Sequence, residues 1–152
     1  MKSRKMRFAV KAGAAAVALL FALAGQQAVA HKEAHDAATL KAFEDAFMEQ
    51  VVIGDNLFHG DPDAEKAMGV TLSKTGMACA MCHPFSSDVH PHEFPKFQEQ
   101  MSAFATLRDM INWCIEKPNE GVKIDPDGKA MKALEAYMYW SNKGSALDPG
   151  RH

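Results

Sequence analysis

The sequence predicts an all-α fold of short helices. Three observations carry that expectation: apolar residues recur at three- and four-residue intervals in the mature part of the chain, prolines and glycines interrupt them at wide intervals, and no stretch alternates apolar and polar residues convincingly enough to read as a strand. The first helix is expected over about 37–52, where Leu40, Phe43, Phe47 and Val51 share one face and Glu44, Asp45 and Glu49 lie on the other. Gly54-Asp55-Asn56 reads as its end, and Leu57-Phe58 as an apolar clasp before a turn. Residues 59–76 contain Gly60, Pro62, Gly69 and Gly76 and read mostly as loop, with a helical turn near Glu65–Met68. Pro84, Pro91 and Pro95 argue against regular structure over 84–95. A second helix is expected from Lys96 or Phe97 to Glu116, ending before Pro118, and a third from Asp127 to Ser141, with Met131, Leu134 and Met138 as its buried stripe and Tyr137 flanking it. Asp125-Pro126-Asp127-Gly128 lacks acids at the first and twelfth positions of a calcium loop and reads instead as a capped helix start with Pro126 in the first turn.

Residues 1–30 do not read as folded protein. Lys2, Arg4, Lys5, Arg7 and Lys11 form a basic segment, the apolar run Ala12–Gly25 follows, and Ala28-Val29-Ala30 supplies a small-x-small cleavage pattern. The 14-residue run falls short of the roughly 20 residues that span a bilayer, so a signal peptide is favoured over a retained anchor. Removal after Ala30 leaves residues 31–152, enough for one domain. The first 30 residues hold five of the 17 bases and none of the 19 acids, so the mature part carries 12 bases against 19 acids, a formal charge of −7. That balance argues against nucleic acid or anionic lipid as partner and favours a partner with a basic docking surface. Three cysteines are too few for a disulfide-stapled secreted domain.

Two of them stand in Cys79-Ala80-Met81-Cys82-His83, the pattern of c-type haem attachment. Two thiols at this spacing add across the vinyl groups of the porphyrin, and the adjacent histidine is held beneath the iron as proximal ligand. A thioredoxin-like pair would need a βαβ context and a zinc knuckle a second ligand pair, and the sequence offers neither. The expectation is therefore a cytochrome c fold, with its short helices packed around one covalently bound haem c held by Cys79, Cys82 and His83, in a protein exported to the periplasm. The distal ligand is open at this level. Met101, Met110, Met131 and Met138 are candidates by position, most of them also on helix stripes where methionine fills gaps. His90 and His92 lie in a proline-broken polar stretch and read as surface residues, and Met77 and Met81 sit too close to the attachment point. Cys114 is the odd cysteine, 31 residues beyond His83; it reads as a distal thiolate ligand, as a small core residue beside Trp113, or as a thiol for an intermolecular disulfide. His31, His35, His59 and His152 are scattered, and no role falls to them.

The stretch Leu107-Arg108-Asp109-Met110-Ile111-Asn112-Trp113-Cys114-Ile115-Glu116, with Asn119-Glu120-Gly121 and Met131-Lys132-Ala133-Leu134-Glu135-Ala136-Tyr137, resembles the SoxA and thiosulfate dehydrogenase cytochromes. The likeness covers about residues 76–141. In that family an R-I-x-x-C segment brings a cysteine to the distal face of the haem, and the closing helix reads M-x-A-L-x-A-Y. The resemblance implies Cys114 as distal iron ligand and a link to sulfur oxidation. Two departures stand out: Arg108 is not next to Ile111, and a single haem motif is present where family enzymes carry further haems or a partner chain. Electron transfer between periplasmic redox proteins, alone or as the haem subunit of an oxidoreductase in a heterodimer, is the expected function. Thiosulfate oxidation, or binding of nitric oxide or carbon monoxide by a His/Cys haem, are the alternatives.

Overall fold

A computed structural model describes residues 35–86 and 88–145; the expected signal segment lies outside the described residues. Helix α1 spans Ala37–Phe58, α2 Pro62–Met68, α3 is the single turn Cys79–Cys82, α4 spans Leu107–Glu116 and α5 Lys129–Ser141. Two 3₁₀ turns, Pro84–Ser86 and Pro91–Glu93, lie between α3 and a small antiparallel hairpin, β1 Lys96–Gln98 and β2 Ala103–Ala105. The architecture is thus mostly helical, with one two-stranded element that the all-α expectation lacked.

The core forms where α1 crosses α5. Val51, Gly54, Leu57 and Phe58 are the buried residues of α1, all within its last eight. Facing them, Met131, Ala133, Leu134, Tyr137 and Met138 are almost fully buried on α5, as the 3.6-residue stripe predicts. Gly54 does not end α1, because it sits at the crossing itself: a Cβ there would lie 1.9 Å from the Ala133 carbonyl oxygen. Only a residue without a side chain lets the two backbones approach so closely. Beyond the crossing, Phe58 meets Tyr137 with ring centroids 5.2 Å apart. The first half of α1 departs from expectation, since Leu40, Phe43 and Phe47 remain 53%, 55% and 44% exposed.

Helix α2 follows from its sequence: the Asp61 carboxylate accepts from the Asp63 amide at 2.8 Å, Pro62 opens the first turn, and Gly69 closes the helix in the left-handed region at φ 66°. The second long helix starts at Leu107 rather than at Lys96 or Phe97. Thr106 and Asp109 form a capping box: the Asp109 amide donates to Thr106 Oγ1 at 3.2 Å, and the Thr106 amide donates to Asp109 Oδ2 at 2.8 Å. Residues ahead of that cap turn back instead, pairing Phe97 with Phe104, and both rings stay exposed. Asn112 on α4 clamps the chain beyond it, donating to the Ile124 carbonyl and accepting from the Ile124 amide, each at 2.9 Å. The start of α5 also differs in detail. Gly128 is the N-cap without a side-chain bond, Pro126 precedes the helix, and the Asp125 carboxylate accepts from the Asp127 amide in the turn before it.

Two ties fix the segments flanking Cys79–His83. Before the motif, the Lys74 amide donates to the Asn119 carbonyl at 2.8 Å and Ser73 bridges Glu120, so the approach strand lies along the chain leaving α4. After it, Asn142 at the end of α5 donates to the Ser86 carbonyl at 2.8 Å. Asn142 and Ser86 are both buried, and their polar atoms are satisfied by each other and by Ser141.

Candidate haem-binding site

These ties leave a cleft of about 270 Å³ between α3, α4, α5 and the segment 88–100. Cys79, Cys82, His83 and Cys114 all line it. Residues separated by more than thirty positions thus meet in one hollow, and the reason is local. The single turn of α3 turns both cysteines and the following histidine towards the hollow. The capping box at Thr106 sets the phase of α4, so that Ile115 faces the core while Ile111 and, one turn apart, Met110 and Cys114 line the cleft. Most of the remaining surface is apolar, contributed by Phe58, Val89, Phe94, Leu107, Ile111 and Met138.

His83 is oriented by a neighbour that sequence reading passed over. Its Nδ1 lies 2.9 Å from Asp88 Oδ1, so the ring donates to the carboxylate through Nδ1 and keeps Nε2 for a metal. An acid five residues after a candidate histidine ligand was the available signal. The two half-buried thiols of the cleft are protonated at neutral pH. Burial and the neighbouring Cys114 push Cys79 up to about 12, and burial with Cys82 nearby pushes Cys114 up to about 11. A metal cation beside Cys114 would displace that proton and hold the thiolate.

The methionine candidates separate cleanly. Met110 and Met138 line the cleft; Met131 is fully buried in the helix crossing and Met101 sits at the hairpin turn, neither of them among the cleft-lining residues. His90, expected at the surface, also lines the cleft, whereas His92 packs on Tyr139 with centroids 5.2 Å apart and meets the Asn142 carbonyl at 3.1 Å. Arg108 does not reach the cleft. It donates to Glu135 at 2.9 Å and to Asp127 at 2.7 Å, so it braces α4 against α5 from outside. His59 is not among the cleft-lining residues; it meets Tyr137 edge-on with centroids 6.0 Å apart and the Asp55 carbonyl at 2.9 Å.

The residues present fit a haem. An iron already held by four porphyrin nitrogens needs only two protein donors, and the cleft offers His83 with Cys114, Met110 and Met138 as possible partners to it. The paired thiols stand next to His83, and the mostly apolar lining suits a porphyrin face. Among the described residues no helix is long and apolar enough to cross a membrane. No curated protein matches the chain. The family model described as the SoxA/TsdA cytochrome c domain matches residues 64–147, more than half of the sequence, a span that takes in α3, α4, α5 and every lining residue of the cleft but Phe58. The chain belongs to the SoxA/TsdA cytochrome c domain family, whose members' shared part is a haem-binding electron-transfer module.

Proposed function

We propose that this chain is an exported, monohaem c-type cytochrome that passes single electrons between periplasmic redox proteins. One observation carries the reading: Cys79, Cys82, His83 and Cys114 line a single apolar cleft, with His83 held through Nδ1 by Asp88. In this proposal Cys79 and Cys82 form the thioether bonds, His83 is the proximal ligand and Cys114 the distal one. The haem supplies a one-electron iron couple. The protein's own residues do the rest: Phe58, Leu107, Ile111 and Met138 exclude water, Asp88 fixes the His83 ring, and Cys114 supplies a donor that stabilises ferric iron. The formal charge of −7 over residues 31–152 suits a redox partner with a basic docking face, as a separate protein or as the other half of a heterodimer.

Sulfur oxidation is the second reading, and family membership favours it. Against a catalytic role for this chain by itself stands Arg108. A sulfur oxyanion held beside Cys114 needs a cation; this arginine is committed to Asp127 and Glu135 outside the cleft, and the lysine that lines it, Lys96, is paired with Glu93. A part in sulfur oxidation as the electron-accepting subunit remains compatible with that geometry. The test uses the haem-loaded chain in a coulometric titration and a thiosulfate assay. The reading predicts one electron per chain, taken up reversibly, and no reduction by thiosulfate. Reduction of the isolated chain by thiosulfate at a catalytic rate would make the sulfur reading the correct one.

A further inference from the structure

The polar residues of the cleft are not spread around it. Outside the four candidate haem-binding residues and Asn119, they come from one segment: Asp88, His90, Lys96, Gln98 and Gln100. The hairpin explains the pattern, because alternate residues of β1 face the same way, so Lys96 and Gln98 turn inward and Phe97 outward. Lys96 is the single lysine or arginine among the described lining residues. It is 6% exposed, and its Nζ lies 2.6 Å from Oε2 of Glu93, which is 3% exposed and stands outside the cleft lining. The same ammonium lies 5.2 Å from the Phe94 ring centroid.

An ion pair this deep is costly and is a weak source of stability by itself. It is explained if the ammonium serves a second carboxylate from inside the cleft, with Glu93 holding it in place from behind. A haem brings carboxylates of its own on one edge of an otherwise apolar disc, and among the described lining residues the wall formed by 88–100 holds the one lysine and a cluster of further donors to match them. Resting on the haem reading above, we infer that Lys96, positioned by Glu93, is the residue that receives the haem propionates, with Gln98 and Gln100 beside it. The carboxylate edge of the haem therefore points at the hairpin. Lys96 is a positioning and tuning residue: it fixes the haem's orientation in its plane and adds a positive charge whose field favours the reduced iron.

The test measures the reduction potential of the haem-loaded full chain, with absorption and low-temperature EPR spectra recorded on each sample. Lys96→Met removes the cation of the pair and is expected to lower the potential. Glu93→Gln removes its anion and is expected to raise it, and Lys96→Arg is expected to stay near the parent value. The spectra of all three should keep the parent's axial ligation. Should the Lys96→Met chain fail to fold, the double variant Lys96→Met/Glu93→Gln leaves no lone buried charge and should still sit below the parent, since the lost cation is the nearer of the pair. Haem bound normally with potentials that do not move, or that move in the same direction in both single variants, would overturn the assignment while leaving the haem reading intact. A changed EPR signal in Lys96→Met would overturn it differently, by making Lys96 an iron ligand. Absence of covalent haem from the parent chain would instead remove the reading on which the proposal rests.

Discussion

The two walls of the cleft are built on different principles. The helical wall, made by α4, α5 and the end of α1, is mostly apolar and closely packed, and its contacts are set by side-chain shape and uncharged hydrogen bonds: Gly54 against Ala133, Phe58 against Tyr137, Asn112 clamping Ile124. The wall over 88–100 is short, proline-rich and polar, and its contacts are set by charge: Asp88 on His83, Glu93 on Lys96. Cys114 apart, changes in the first should therefore alter stability and leave the haem's redox properties alone, whereas changes of charge in the second should move those properties.

The largest effect is expected at the helix crossing. Gly54→Val places three carbons where a single one would already overlap the Ala133 carbonyl, and separating the helices should cost about 3 kcal/mol or more, visible as a lowered urea midpoint. Next comes Asn112→Ala, which strands the Ile124 amide and carbonyl in a buried position and should cost about 2 kcal/mol, with the haem spectrum unchanged in the fraction that folds. A spectral change at constant stability would break the division between the walls. Thr106→Ala removes the cap of α4 and should cost about 1 kcal/mol. It carries a pH signature too. Hydrogen bonds from the Thr106 hydroxyl and amide hold the Asp109 carboxyl below its ordinary value of 3.8. The resulting stabilisation is present above that value and is lost as the pH falls through the lower folded one, and Thr106→Ala should flatten the loss. The smallest effect is expected for Arg108→Gln, whose partners lie outside the cleft: absorption and potential should match the parent.

The same division decides what could be read from sequence. On α5 the stripe Met131, Leu134, Met138 was legible because each residue is buried by one continuous helix face. That Cys79, Cys82 and His83 belong to one site was legible because the motif fixes both residue type and spacing, and all three line the cleft. Gly54 was misread, since a glycine followed by Asp55 and Asn56 looks like a helix end, and only the tertiary approach of Ala133 reveals a crossing point. The hairpin was missed because strands of three residues are too short for alternation to register, and the preceding apolar spacing let a helix be drawn through them. The capping box at Thr106 and Asp109 was the local signal that would have placed the start of α4 correctly. The exposed Leu40, Phe43 and Phe47 show the opposite limit, where a convincing amphipathic pattern is not buried within the described residues. As for the polar wall, no periodicity announces that His90 and Lys96 face a cleft; that follows from the turns and the hairpin that carry them.

Most direct for the central claim, that this cleft holds one haem between His83 and Cys114, is a low-temperature EPR and absorption spectrum of the ferric protein beside its Cys114→Ala variant. A low-spin signal of thiolate character in the parent, lost in the variant with haem still attached, is the predicted result. A methionine charge-transfer band present in both would contradict it, placing Met110 or Met138 on the iron and leaving Cys114 as a packing residue of the helical wall.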